Sequence, residues 1–178
     1  MLCLIGLLTL LFKRFISIGI LAVLTGCGFR PLYGNHTSGN ARTDFLRVEV
    51  APITDRDGQL LRNELIRRLY GSGSRRLPDY RLVTKISEAK TSLAVQKNAF
   101  ATRSNLEMAA SFWLQETNSG RLLFEGNSRV TVSFNILDSE FASLLGEKNA
   151  RERGIRELSE DIRIRLGVFF DQFRAPDS

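Results

Sequence analysis

The residues with the clearest chemistry are Leu24-Thr25-Gly26-Cys27, which end an apolar run that follows the basic pair Lys13-Arg14. A positive region, an apolar stretch of about 7–15 residues and small residues before a cleavage point define a secretory signal. A cysteine at that point is typical of a bacterial lipoprotein signal. The Cys27 thiol is the nucleophile that accepts a diacylglycerol; the peptidase then cuts between Gly26 and Cys27, and the new amine is acylated. The sequence therefore predicts a lipid-modified Cys27.

The apolar stretch Met1–Phe12 precedes the basic pair and is not expected in such a signal. If residues 1–24 formed one membrane helix of about 20 residues, the charges of Lys13-Arg14 would lie at its centre, where charge is costly. We therefore interpret residues 1–26 as the signal peptide, with an over-extended start and a true start close to Phe12.

Two further parts of the chain follow Cys27. Residues 27–43 are rich in Gly, Asn, Ser and Thr, which predicts a flexible tether behind the lipid. Phe29, Leu32 and Tyr33 interrupt this composition, and they could lie at the lipid–water interface or on a partner. Residues 44–175 have the length and apolar content of a single globular domain.

The composition offers no catalytic or metal site. The chain has one histidine, His36, in the tether, and two cysteines, of which Cys27 is assigned to lipid. Without a His/Cys cluster there are no ligands for zinc, and no thiol remains as a nucleophile. The Gly-Ser-Gly at 71–73 follows a helix, so it does not fit a nucleotide-binding turn. We expect neither an enzyme nor a cofactor. The net charge of +6 would suit nucleic acid, but export argues against it.

Hydrophobic periodicity predicts two helices. The first begins with Asp57 as N-cap and ends at Tyr70, before a loop at 71–78. The second begins with Asp138 as N-cap and continues to about Phe173. Its strongly charged middle, 147–153, predicts a solvated or kinked section. Its apolar stripe consists of Phe141, Leu144, Leu145, Ile155, Leu158, Ile162, Leu166 and Phe169.

Alternating apolar residues predict four strands. The first spans 45–50. The second starts at Tyr80 and changes parity, which predicts a bulge or break within 87–92. The third spans 105–116 with its even positions apolar, and the fourth, 122–134, repeats that pattern. Asn118-Ser119-Gly120 predicts a tight hairpin between the last two.

The predicted order is strand, helix, three strands, helix, which is typical of an α+β fold. We expect a four-stranded mixed β-sheet with both helices packed on one face. The other face carries small and polar side chains with scattered arginines, and no remaining element could cover it. We expect the binding surface on this open face.

The residues Cys27-Gly28-Phe29-Arg30-Pro31-Leu32-Tyr33-Gly34 resemble the start of the mature alphaproteobacterial LPS-assembly lipoproteins, the LptE family. Weaker similarity follows at 101–103, 134–135 and 141–144, and the element order agrees. The resemblance implies an outer-membrane lipoprotein on the periplasmic side, which plugs the β-barrel LptD in a 1:1 complex. It implies that the pair inserts lipopolysaccharide into the outer leaflet.

Direct binding of lipopolysaccharide, a second role that the resemblance implies, would need exposed cations for the lipid A phosphates. The candidates are Lys97, Arg103, Arg121 and Arg129, of which we expect at least two to contact lipid A. An alternative is another outer-membrane lipoprotein, a β-barrel assembly or secretion-pilot subunit, that acts as a binding module. A small-ligand module would need a pocket between helices and sheet, but helix packing already uses the even-numbered strand residues.

Overall fold

The computed structural model describes residues 43–94 and 101–174, with the side chains of 94, 101 and 102 left aside. Its strands are β1 (Val48–Val50), β2 (Tyr80–Ala94), β3 (Ala101–Glu116) and β4 (Leu122–Asn135), and its helices are α1 (Asp55–Tyr70) and α2 (Glu140–Arg174). A single helical turn at 43–45 precedes β1. The sheet order is β1-β2-β3-β4, with β1 parallel to β2 and the other pairs antiparallel. The predicted α+β fold with a mixed sheet is confirmed.

The core lies between the even-numbered face of the sheet and the two helices. The predicted inward residues of β3 are all buried: Leu106, Met108, Ala110, Phe112 and Leu114. They contact a stripe from each helix, made of Leu61, Leu65 and Leu69 in α1 and of Leu158, Ile162, Leu166 and Phe170 in α2. Apolar residues at every second position of a strand lie on one face of the sheet, and those at every third or fourth position of a helix lie on one side of the helix. These residues therefore meet at one interface.

Both predicted N-caps are wrong by one to three residues. The N-cap of α1 is Thr54, so Asp57 lies within the first turn. The helix α2 starts after Ser139, whose hydroxyl oxygen accepts a hydrogen bond from the Ala142 amide at 3.4 Å. Serine is as good an N-cap as aspartate, and Asp57 still lies near the positive end of its helix.

The predicted bulge or break within 87–92 is also wrong. β2 pairs with β3 without interruption from Tyr80 to Leu93, and the register shifts only between Leu93 and Ala94. The even-numbered side chains beyond Ile86 still point towards the helices, but they are Glu88 and Lys90, which form ion pairs with α2. Charge pairing therefore replaces apolar packing on the same face, and the apparent change of parity has no backbone cause.

The helix α2 is continuous over its 35 residues, so the predicted solvated or kinked section at 147–153 does not interrupt the helix. The first turns of α2 are rotated relative to the prediction, because small residues at spacing four face the sheet: Gly146, Ala150 and Gly154. Phe141, Leu144 and Leu145 are consequently exposed, and their assignment to the core was wrong. Small side chains let the helix axis approach the strands, which leaves the large ones on the outside.

The domain has two distinct ends. At the Thr43 end, the described chain begins beside the start of β2, the β3–β4 hairpin and the last turn of α2, where Arg174 pairs with Asp44. The opposite end, where β2 leads into β3, is here called the hairpin end; Leu93, Arg103 and Asn135 lie there in register, near the first turn of α2. Sixteen residues of β3 separate the ends by about 50 Å, at about 3.4 Å per residue.

Candidate functional site

The open face of the sheet consists of the odd-numbered side chains of β2, β3 and β4, and no helix or strand of the described residues covers it. Its centre is nearly flat, because the side chains there are short. A shallow hollow of about 300 Å³ is lined by Ala109, Ala110, Ser111, Asn127, Ser128 and Arg129. A second hollow of about 280 Å³ adjoins it beside Trp113 and Glu125. A broad surface could approach this face closely.

Two cations on the open face have partners within it. The guanidinium of Arg129 lies 3.3 Å from the carboxylate of Glu107 on the neighbouring strand. The Lys85 ammonium lies 5.7 Å from the centre of the Trp113 ring, within the range of a cation–π contact. Paired charges limit the desolvation cost of covering the face, and they give it hydrogen-bonding capacity without a strong field of one sign.

A charge network on the opposite face joins three elements of the domain. The Arg151 guanidinium donates two hydrogen bonds, of 2.8 and 2.7 Å, to Glu88 of β2, and a third of 2.9 Å to Glu147. It also lies 3.4 Å from Asp57 of α1. Lys90 donates to the second oxygen of Glu147 at 2.6 Å. These contacts fasten α2 to β2 and to the start of α1, and they explain why the charged section stays helical.

The pKa shifts follow from this network. The hydrogen bond from Lys90 holds the pKa of the Glu147 carboxyl below its usual range, against the effect of burial, and Arg151 adds to the lowering. Burial raises the pKa of Asp57, although the charge of Arg151 opposes this. The hydrogen bonds to Glu88 raise the pKa of Arg151. Arg151 therefore stays charged and favours the ionised form of Glu147.

The predicted lipopolysaccharide contacts do not lie together. Arg103 is at the hairpin end, where it pairs in register with Leu93 and Asn135. Arg121 is at the Thr43 end, 3.7 Å from Glu116. Arg129 lies between them on the open face. Lys97 lies outside the described residues. The hypothesis that at least two of them contact lipid A remains a prediction.

An exposed apolar patch at the hairpin end was missed by the sequence-based prediction. It consists of Leu137, Phe141, Leu144 and Leu145, with Phe141 71% and Leu144 59% exposed. The Ser143 hydroxyl accepts a 2.8 Å hydrogen bond from the Leu137 amide and donates to the Leu137 carbonyl, which fixes the turn before α2. The small-residue spacing of 146, 150 and 154 was the signal that could have revealed this patch.

Cys27 and His36 lie outside the described residues, so the lipidation and cleavage site remain predictions. Within 43–94 and 101–174, no group of three His, Cys, Asp or Glu side chains could hold a metal ion. None of the helices described there is both long and apolar enough to cross a bilayer.

A family model for lipopolysaccharide assembly, LptE, matches residues 45–166, most of the described domain. The chain belongs to the LptE family. It is therefore a member of a family of lipopolysaccharide-assembly lipoproteins, and the members of that family are not enzymes.

Solved structures similar to this LptE-family chain show the same fold. A protein of Caulobacter crescentus CB15 described as a lipoprotein has 19% identity and a TM-score of 0.62, over 75% of this chain and 97% of that one. An uncharacterised lipoprotein B of Nitrosomonas europaea has 12% identity and a TM-score of 0.55, over 74% and 90%. A minor lipoprotein of Acinetobacter baumannii has 12% identity and a TM-score of 0.53, over 69% and 92%. A comparison with curated proteins finds no match.

Proposed function

We propose that this protein is an outer-membrane lipoprotein, anchored on the periplasmic side through Cys27, that plugs the β-barrel LptD and helps it to fold. Together the two proteins would insert lipopolysaccharide into the outer leaflet. The observation that carries the proposal is the uncovered open face, with short side chains at Ala109 and Ser111 and a paired Arg129. Large β-barrels have polar interiors, and non-obligate interfaces are no more apolar than the remaining surface.

The proposal requires the barrel wall to approach the open face closely, and this requirement can be tested directly. Ala109 lies at the centre of the open face, so Ala109→Arg would hold a barrel wall away without entering the core. The matched control is Arg156→Ala, which removes an exposed side chain on the outer side of α2. Affinity purification from membranes followed by mass spectrometry should recover LptD with the control variant and several-fold less with Ala109→Arg.

The same purification distinguishes the proposed LptD role from the main alternative, another outer-membrane lipoprotein role. Recovery of only a β-barrel assembly complex or a secretion complex would favour another outer-membrane lipoprotein role. Equal recovery of LptD with Ala109→Arg and with the control would show that the open face is not the docking surface. Circular dichroism of both variants would establish that each is folded.

Direct binding of lipopolysaccharide is best supported at the hairpin end. The apolar patch around Phe141 and Leu144 lies at the same end as Arg103, and Lys97 falls in the connection between β2 and β3. Apolar surface suits acyl chains, and guanidinium groups suit phosphates. Arg103→Glu should therefore weaken binding of purified lipopolysaccharide more than Arg121→Glu. Charge reversal at Lys97, Arg103, Arg121 and Arg129 together, with no change in binding, would refute direct phosphate recognition.

The anchor is tested separately. Cys27→Ser, produced behind a signal that is cleaved without lipidation, should release the protein from membranes, because only non-covalent contacts would then hold it. If docking to LptD dominates localisation, cells should survive this change, because the lipid then serves mainly to raise the local concentration. A Cys27→Ser protein that remains fully in membranes of cells lacking LptD would contradict the assignment of Cys27.

A further inference from the structure

The loop between α1 and β2 presents an apolar side chain that is 87% exposed, that of Leu77. The loop is nevertheless fixed at both sides of this residue. The Arg76 amide donates to the Leu46 carbonyl and the Asp79 amide donates to the Arg47 carbonyl, both at 3.0 Å. A leucine held outwards by a hydrogen-bonded backbone does not reach the core, so its exposure is built into the fold.

Basic side chains flank this leucine. Arg75 and Arg76 immediately precede it, and Arg76 has no ion-pair partner among residues 43–94 and 101–174. Arg75 reaches Glu49 at 3.2 Å, but both side chains are substantially exposed, so this pair is weak. A protruding apolar residue beside guanidinium groups has the composition of a lipid-interface contact, with the leucine at the acyl boundary and the arginines at phosphates.

The loop lies at the end of the domain that follows the predicted anchor in the sequence. Its backbone bonds attach it to residues 46 and 47, a few residues after the described chain begins, so it lies at the Thr43 end. Two further exposed apolar side chains, Leu122 and Phe173, lie at that end. Fifteen residues lie between Cys27 and Thr43. This stretch can span up to about 50 Å when extended, so an anchor alone would not orient the domain.

We propose that residues 75–77 form a docking surface for an anionic phospholipid bilayer, which orients the free lipoprotein with its Thr43 end on the membrane. This inference rests on the proposed anchoring through Cys27. Leu77 enters the interface, Arg75 and Arg76 bind headgroup phosphates, and the hairpin end with Phe141 points away from the lipid.

The test uses the mature lipoprotein, in which the lipid occupies the Cys27 thiol, reconstituted through its anchor into vesicles. An environment-sensitive fluorophore is attached to Leu77→Cys or, in a matched variant, to Leu144→Cys at the hairpin end. We expect brominated lipids to quench the label at 77 strongly and the label at 144 little. In vesicles with phosphatidylglycerol, Arg76→Glu should reduce quenching at 77 several-fold, and Arg156→Glu on α2 should not.

Each outcome has one meaning. A protein that stays on the vesicles, with the label at 77 quenched no more than the label at 144, overturns the docking surface and leaves the anchor intact. Equal quenching at 77 in vesicles with and without phosphatidylglycerol overturns the assignment of the arginines to phosphates. Failure of the protein to stay on the vesicles overturns both the anchor and the inference built on it.

Discussion

Replacing Arg151 by methionine should destabilise the domain more than any other single change of surface charge. The Arg151 side chain is only 24% exposed, and its guanidinium is the shared cation of Glu88, Glu147 and Asp57. Methionine keeps much of the aliphatic bulk but removes every hydrogen bond. Three carboxylates would remain close together, with Lys90 as the remaining cation in contact with Glu147.

The expected loss of unfolding free energy in Arg151→Met follows from the burial and the geometry of the ion pairs. Breaking a buried ion pair by removing one partner costs about 3–5 kcal/mol, whereas an exposed pair contributes about 0–1 kcal/mol. Arg151 lies between these limits, and its bidentate contact with Glu88 is of the stronger kind. We therefore expect the free energy of unfolding to fall by about 2–3 kcal/mol. For a domain of this size, the melting temperature would fall by roughly 10 °C.

The matched control is Arg165→Met. Arg165 makes a single 2.8 Å contact with Asp161 one turn earlier, and both side chains are about half exposed. Its loss should cost no more than about 0.5 kcal/mol. Urea unfolding of both variants, followed by circular dichroism, measures the difference. If Arg151→Met cost no more than Arg165→Met, the network would not hold α2 to β2 as inferred.

Three further predictions concern α2. Gly167→Ala should raise the free energy of unfolding by up to about 1 kcal/mol in urea melts, because alanine favours a helix and the added methyl meets only an ordinary 3.5 Å contact. Gly154→Ala should lower it by about 1–2 kcal/mol, because its Cβ would lie 2.6 Å from the Met108 sulfur; stabilisation would contradict the close helix–sheet approach. The Lys90 hydrogen bond lowers the pKa of Glu147, so Glu147 should stabilise the fold above its unfolded pKa of about 4.3 and lose this effect as pH falls through its folded pKa. The stability difference between wild type and Glu147→Gln should therefore shrink in acid, and a difference that grew there would refute the sign.

The strand pattern could be predicted because it is local. Alternation from Leu106 to Leu114 identifies the buried face of β3 without knowledge of any other element. The hairpin at Asn118-Ser119-Gly120 is equally local, and Gly120 has the positive φ of 68° that its turn requires. The α+β fold then follows from the order of the elements.

The sequence-based predictions were wrong where residues distant in the sequence determine the local structure. The charges at 147–153 have the same composition whether they are solvated or paired, and their partners Lys90 and Glu88 lie 57 and 63 residues away from Glu147 and Arg151. Phe141 fits a helical apolar stripe, but a stripe of small residues competes for the same helix. Only the packed structure shows that the small residues face the sheet, because both patterns have the helical period.

The separation of the two ends sets how far the domain would reach inside a barrel. The 35 residues of α2 span about 50 Å at 1.5 Å per residue, from the apolar patch around Phe141 to Arg174 at the Thr43 end. A bilayer with its headgroups is about 40–45 Å thick. If a barrel lumen surrounds the domain, with the Thr43 end at the periplasmic surface, the hairpin end would therefore reach the level of the opposite leaflet. This direction is the reverse of the one on a free bilayer, where the hairpin end points away from the lipid. The open face would then run along the barrel wall between the two surfaces, and Arg103 would lie at the end where lipopolysaccharide leaves.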